Sequence, residues 1–130
     1  MQIDHIGYAV KRFDRALESF REAGFVFADP IDDRDRNVKL VFGDNGAVRI
    51  ELVAPLDRAA PSPVDAYLSR TGPTPYHLCY RVASLDAAVQ QWRARGARVV
   101  VEPAPAIAFQ GRRVVFMSDL ATGLFEMVQE

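Results

Sequence analysis

The stretch DHIGYAV at residues 4–10 decides the fold, because it recurs as YHLCYRV at residues 76–82. Both copies alternate large apolar residues with other residues, as a half-buried β-strand does. An offset of 72 places His5 on His77, the only two histidines of the chain. The same offset continues beyond the strands, matching Tyr8 with Tyr80, Asp14 with Asp86, Arg21 with Arg93 and Gly24 with Gly96. The chain therefore contains an internal repeat.

Each copy predicts the order strand, helix, strand, strand, strand. After the first strand the apolar spacing becomes helical, at Phe13, Leu17 and Phe20 in one copy and Leu85, Val89 and Trp92 in the other. Gly24 and Gly96 stand where a helix ends in a left-handed residue. The later strands are expected at residues 25–28, 39–43 and 48–53, and at residues 98–102, 112–117 and 124–129. DNG at residues 44–46 predicts a hairpin, with ATG at residues 121–123 in the equivalent corner.

Two βαβββ modules cannot each bury a sheet face alone, so we expect them to pair. The modules cover about residues 1–55 and 75–130, and the linker at about residues 56–74 includes a short helix within residues 61–69. The predicted fold class is α+β: one domain over residues 1–130, whose two modules form a curved eight-stranded half-barrel sheet with helices on its outer face.

Charge and composition exclude several classes of partner. The 16 basic residues nearly balance the 17 acidic ones, so no basic field is available to bind nucleic acid. No apolar run is long enough to span a membrane, and the expected location is the cytoplasm. Cys79 is the only cysteine, which excludes an internal disulfide and a cysteine-based zinc site.

The strand pattern brings two histidines and two glutamates to one face of the sheet. With residues 38–53 laid over residues 112–128 and a small gap allowed, Glu51 falls on Glu126. Side chains alternate across a strand, so His5, Glu51, His77 and Glu126 all point away from the large apolar set. A single histidine in an apolar strand is more often a hydrogen-bonded core residue. Two buried carboxylates without a cation are costly, however, and the paired set predicts one divalent metal ion.

These repeats and these four residues resemble the vicinal oxygen chelate superfamily, which includes glyoxalase I, extradiol dioxygenases, fosfomycin and bleomycin resistance proteins, and methylmalonyl-CoA epimerase. In metal-dependent members the ligands come from the first and fourth strands of each module. The stretch IELVAPLDRAAPSPVDAYLSRTGPTPYHLCYRV at residues 50–82 is most similar to the epimerase family.

The resemblance to epimerases implies an acid on the loop before the third strand. Epimerases carry Glu-Gln-Gly-Val there, and this chain has Asp35 followed by RNV at residues 36–38. Where epimerases tend to show Phe-X-His-Pro-Lys before the last hairpin, residues 116–120 read FMSDL. The metal site does not depend on that departure.

The four ligands suit a six-coordinate ion of borderline hardness, such as Co, Ni, Zn, Mn or Fe. Our main hypothesis is an epimerase or isomerase that removes the proton alpha to a chelated carbonyl or thioester, with Asp35 and Glu126 moving the proton on opposite faces. Arg49 and Arg81 lie on the ligand face and are candidates to bind an anionic group of the substrate.

Other functions remain open at this point. A glyoxalase I-type lyase would use the same metal with a glutamate as base, and a non-catalytic ligand-binding or resistance protein would share the fold. Extradiol oxygenase chemistry is disfavoured, because that site uses two histidines and one carboxylate on Fe(II). The expected substrate is a small molecule such as an acyl-CoA or other thioester. Exposed strand edges also favour a homodimer.

Overall fold

The computed structural model describes residues 1–130 and divides them into two compact units. The first unit is residues 5–76, and the second combines residues 1–4 with residues 77–130. The boundaries fall just before His5 and just before His77, inside the two repeated strands. Whether the chain is a single domain stays a prediction.

The first unit contains a four-strand core sheet and one packed helix. Its elements are β1 (Gln2–Ala9), α1 (Phe13–Glu22), β2 (Val26–Phe27), β3 (Ile31–Asp33), β4 (Val38–Asp44), β5 (Arg49–Pro55) and α2 (Asp65–Arg70). The strand order is β2-β4-β5-β1, with β3 paired to β4 outside this path. β5 runs parallel to β1 and antiparallel to β4.

The second unit repeats this plan. Its elements are β6 (Thr74–Val82), α3 (Leu85–Ala94), β7 (Arg98–Pro105), a 3₁₀ turn (Ile107–Phe109), β8 (Arg113–Asp119) and β9 (Gly123–Gln129). The strand order is β6-β9-β8-β7, with β9 parallel to β6 and antiparallel to β8. The predicted pair of βαβββ modules is confirmed.

The predicted α+β class is confirmed, although the open mixed sheet has nine strands rather than eight. The additional strand is β3, which pairs with β4 through the register Ile31↔Leu40 to Asp33↔Val38. Three residues are too few for an alternating pattern to be recognised in the sequence. The edge strand β7 also continues to Pro105, with register shifts after Val99 and after Val101. Proline is tolerated there because edge strands leave donors unpaired.

Each unit buries the apolar face of its strands under its long helix, as the alternation predicts. In the first unit the buried members are Val10, Leu17, Phe25, Val41, Ile50, Leu52 and Ala54. In the second they are Val82, Leu85, Ala88, Val89, Ala97, Val115, Met117, Phe125 and Met127. Full burial of one large aliphatic or aromatic side chain contributes about 1.5–3 kcal/mol, so these faces fix the register of every strand.

The glycines predicted to end the helices do so. Gly24 and Gly96 follow the ends of α1 and α3 with φ of 90° and 97°, a region that costs other residues free energy. The DNG corner is held by its own side chains, since Asn45 Oδ1 accepts hydrogen bonds from the amides of Ala47 and Val48 at 3.0 Å. The linker helix begins only at Asp65, whose carboxylate accepts a hydrogen bond from the Ser62 amide at 2.8 Å.

No helix of the chain has the length and apolar character needed to cross a bilayer.

Candidate metal centre

The first pair of candidate ligands is set by two parallel neighbouring strands. Gly7 of β1 stands opposite Glu51 of β5, and His5 lies two residues before Gly7 on the same face. His5 Nε2 is 3.6 Å from Glu51 Oε1. Their exposed fractions are only 1% and 6%, so both side chains are buried.

The second pair repeats this geometry at the same repeat positions. Cys79 of β6 stands opposite Glu126 of β9, and His77 lies two residues before Cys79. His77 Nε2 is 3.3 Å from Glu126 Oε1, and both residues are buried. Gly7 and Cys79 are the small residues of their strands that leave room beside the ligands.

Two phenylalanines that the sequence analysis passed over contact the histidines. The ring of Phe42 meets the His5 imidazole edge-on at 5.3 Å between centroids, and the ring of Phe116 meets that of His77 at 5.2 Å. Phe42 also stands opposite Glu51 in the ladder, as Phe116 stands opposite Glu126. The signal was present, because the two aromatics occupy matching places in VKLVF and RRVVF.

The four side chains fit a divalent cation. One nitrogen or oxygen atom from each of His5, Glu51, His77 and Glu126 lies within 4.8 Å of the others. Imidazole nitrogens and carboxylate oxygens are the donors that a divalent ion of borderline hardness takes. Two carboxylates and two neutral imidazoles also neutralise a dication. This cluster could hold a metal ion, and the family that the sequence resembles is metal-dependent.

The two candidate anion-binding arginines have different surroundings. The Arg49 guanidinium lies 4.0 Å from the centroid of the Phe42 ring, so it stacks on the aromatic that contacts His5. Arg81 Nε lies 3.8 Å from Asp4 Oδ1, and 41% of the Arg81 side chain is exposed. A role for either arginine in substrate binding stays a prediction.

Asp35 lies on the turn between β3 and β4 and is exposed. The neighbouring acid Asp33 is instead buried, and it accepts hydrogen bonds from the Arg36 backbone amide and from Arg36 Nη1, both at 3.1 Å. That ion pair buries the Asp33 carboxylate, whereas Asp35 faces solvent. Its proposed catalytic role stays a prediction.

Asn37 closes the same turn in the left-handed conformation, with φ of 55°. Its Nδ2 lies within 3.0–3.1 Å of the carbonyl oxygens of Asp57, Ala60 and Pro61, and its Oδ1 accepts from the Asp57 amide at 2.8 Å. Epimerases have glycine at this position of the Glu-Gln-Gly-Val pattern, and the positive φ explains that preference. Asn37 therefore ties the loop that carries Asp35 to residues 57–61.

Comparison with known proteins supports the superfamily that the sequence resembles. A family model described as the glyoxalase/bleomycin resistance protein/dioxygenase superfamily matches residues 4–116. The ethylmalonyl-CoA/methylmalonyl-CoA epimerase of Cereibacter sphaeroides is 29% identical over 118 residues, which cover 89% of this chain and 87% of that protein.

Two solved structures of methylmalonyl-CoA epimerases are also similar to the chain. Methylmalonyl-CoA epimerase from Mycobacterium tuberculosis is 28% identical, with a TM-score of 0.84 over 98% of this chain and 87% of that one. A variant of the Streptomyces coelicolor methylmalonyl-CoA epimerase, in complex with 2-nitronate-propionyl-CoA, is 27% identical with a TM-score of 0.83, covering 100% and 97%. These relatives point to an isomerase or epimerase enzyme. The chain belongs to the glyoxalase/bleomycin resistance protein/dioxygenase superfamily.

Proposed function

We propose that the chain is a metal-dependent epimerase that inverts the carbon alpha to the carbonyl of an acyl-CoA thioester. One observation carries the proposal: two histidines and two glutamates, all buried, offer ligand atoms within 4.8 Å of one another. Two relatives of similar length are named as epimerases of methylmalonyl-CoA or ethylmalonyl-CoA.

The chain's own residues divide the work of such a reaction. His5, Glu51, His77 and Glu126 would hold the ion, which when bound supplies Lewis acidity to the substrate carbonyl. The edge-on rings of Phe42 and Phe116 keep the two imidazoles in place and exclude water beside them.

Inversion requires proton transfer on both faces of the alpha carbon. A carboxylate oxygen of Glu126 takes the proton on one face, and the carboxyl group of Asp35 returns a proton on the other. After one inversion the proton resides on Glu126 and Asp35 is ionised, which is the arrangement that the reverse reaction requires.

A malonyl-type substrate brings a carboxylate as well as the thioester. Arg49 is the better placed of the two candidate arginines, since it stacks on the ring beside His5. The sequence FMSDL at residues 116–120 replaces the basic pattern of epimerases, and substrates with other alpha substituents should be included in any assay.

The proposal is tested by proton exchange at the alpha carbon. Purified protein supplied with Co²⁺ should incorporate deuterium from D₂O into methylmalonyl-CoA, followed by NMR. Glu126→Gln should abolish the exchange. The matched control is Glu102→Gln, an exposed glutamate of β7, which should retain it. Exchange at the full rate in Glu126→Gln would refute the role of Glu126, and turnover of a glutathione hemithioacetal alone would indicate a lyase.

Asp35 has a test of its own. Asp35→Asn should keep the bound metal and the exchange on the Glu126 face while losing inversion, with Asp32→Asn as the control on the neighbouring exposed acid. Measurement of both stereochemistry and exchange separates the two faces. Inversion at the wild-type rate in Asp35→Asn would remove Asp35 from the mechanism.

A cytoplasmic homodimer completes the proposal. The edge strand β7 leaves Val100 and Val101 exposed, and such edges favour pairing between chains. Light scattering on the purified chain measures its mass, and a monomer at micromolar concentration would contradict the dimer.

A further inference from the structure

A cavity of about 320 Å³ near the start of α1 is unusually basic. Five cationic side chains and a single acid line it, namely Lys11, Arg12, Arg15, Lys39, Arg58 and Asp14. Over the whole chain the 16 basic residues are balanced by 17 acidic ones, and these five include both lysines. The charge of this surface is therefore a local feature that the composition does not reveal.

Most of these cations have no carboxylate partner. Lys11, Arg12, Lys39 and Arg58 form no ion pair within 4.0 Å, and Arg15 reaches only the exposed Glu18 at 4.0 Å. Lys39 is half-buried, with its ammonium 5.1 Å from the centroid of the Phe13 ring. Arg58 is held by a hydrogen bond that its Nη2 donates to the Lys11 carbonyl at 3.0 Å. Cations fixed close together without partners repel one another, and an anion relieves that repulsion.

The backbone adds to the positive potential. α1 begins after Arg12, and no side chain caps its N-terminus. The first hydrogen bond of α1 runs from the Ala16 amide to the Arg12 carbonyl. The amides of residues 13–15 therefore have no acceptor within the helix, and they point toward its N-terminal end, where the cavity lies.

A second cavity of about 330 Å³ shares Lys11, Pro55 and Arg58 with the first. It continues to Ser69 and Asp65 on the linker helix. The two cavities lie side by side at Lys11 and Arg58, so the basic surface extends beyond the area that a single phosphate would cover.

This surface is distinct from the metal centre. Lys39 pairs with Ala54 across β4 and β5, whereas Phe42 pairs with Glu51. Positions 39 and 42 point to opposite faces of a strand, so the basic cavity opens on the helix side of the sheet.

We propose that the basic cavity binds a diphosphate-type anion through Lys11, Lys39 and Arg58. The inference does not depend on the epimerase reaction. The phosphates of a coenzyme A substrate are one source of such an anion, and a free diphosphate or nucleotide is the other.

Inorganic pyrophosphate is the probe for the site. Calorimetric titration of the full chain should give one saturable site, and Lys39→Gln or Arg58→Gln should each weaken binding about tenfold, as expected for loss of one charge-assisted contact. Arg98→Gln is the control, because Arg98 is exposed on β7 and lines neither cavity. No saturable binding, or equal weakening in Arg98→Gln, would overturn the proposal.

A second measurement needs no variant. Pyrophosphate should protect both lysines of the wild-type chain from acetylation by at least severalfold, as read by mass spectrometry, while the N-terminal amine serves as the unprotected reference. Equal modification with and without pyrophosphate would contradict the site.

The source of the phosphate is decided by kinetics. If coenzyme A supplies it, Lys39→Gln should raise KM for the acyl-CoA substrate about tenfold and leave kcat unchanged. An unchanged KM together with lost pyrophosphate binding assigns the site to a free diphosphate. Both results support the cavity as an anion site. The titration measures binding alone, so its outcome does not depend on whether the chain has epimerase activity.

Discussion

Each histidine in the ligand set is held by an aromatic ring from a different strand. Phe42 and Phe116 pack edge-on against His5 and His77, and each also faces the glutamate of its own pair. Packing of this kind limits the rotation of an imidazole, so we expect it to increase the metal affinity of the candidate site.

Phe42→Leu should therefore weaken Co²⁺ binding about tenfold, because the imidazole of His5 gains rotational freedom. Phe116→Leu should have a similar effect on the second pair. The measurement is competition with a chelator of known affinity. Phe20→Leu, which alters a ring packed on Tyr8 in the apolar core, is the control for aromatic loss away from the ligands. Equal affinity in Phe42→Leu and wild type would contradict the role of the ring.

Asn37 combines an unusual backbone conformation with several hydrogen bonds. Asn37→Ala should destabilise the chain by about 2–3 kcal/mol, from the left-handed φ and the lost amide contacts together. Asn37→Gly should cost less, because glycine tolerates that φ. Urea unfolding measures both, and Gln110→Ala, at an exposed residue with φ of 54°, is the control for an alanine substitution at a left-handed position. If Asn37→Ala and Gln110→Ala cost the same, the side-chain contacts contribute nothing.

At the scale of elements, β2 is the most weakly supported strand. It has only two residues, and its ladder consists of Val26↔Asp44 and Phe27↔Gly43. The Phe27 ring lies over Gly43, where a Cβ would collide with the ring. The absence of a side chain at Gly43 is therefore what lets this short strand close onto β4.

Gly43→Ala should destabilise the first unit by about 1–3 kcal/mol through overpacking against Phe27. The double variant Gly43→Ala with Phe27→Leu should recover part of that loss, since the smaller side chain makes room. Thermal unfolding followed by circular dichroism provides the comparison, with Phe27→Leu alone as the control for the loss of the ring. Additive costs in the double variant would show that the two residues do not interact.

At the scale of the whole molecule, we expect the burial of Glu51 and Glu126 to make the stability of the chain depend on a bound metal ion. Ligand-bound protein gains RT ln(1 + [L]/Kd), which is about 2.7 kcal/mol when the free ion is at a hundred times Kd. Co²⁺ should raise the Tm and a chelator should lower it. Glu126→Gln should abolish most of the shift, whereas Glu102→Gln on the exposed strand should keep it. A wild-type Tm that changes with neither Co²⁺ nor chelator would count against the metal centre.

The repeat predicted much of the fold because its signals are local. The alternation of DHIGYAV and YHLCYRV, the helical spacing after them, and Gly24 and Gly96 each depend on neighbouring residues alone. The same alternation assigned both histidines and both glutamates to the face away from the helices. β3 escaped prediction because three residues carry no period, and its pairing with β4 depends on residues elsewhere in the chain.

The sequence by itself determined the α+β class, the two modules and the identity of the four candidate ligands. Only the tertiary structure decided which atoms approach one another: the rings against His5 and His77, the Asp33–Arg36 pair beneath Asp35, and the basic cavity beside α1. The reason is physical. Periodicity and turn preference act over a few residues, whereas the ring contacts and the basic cavity join side chains far apart in the chain. The Asp33–Arg36 pair is local, but periodicity does not predict it, because it depends on the shape of the turn between β3 and β4.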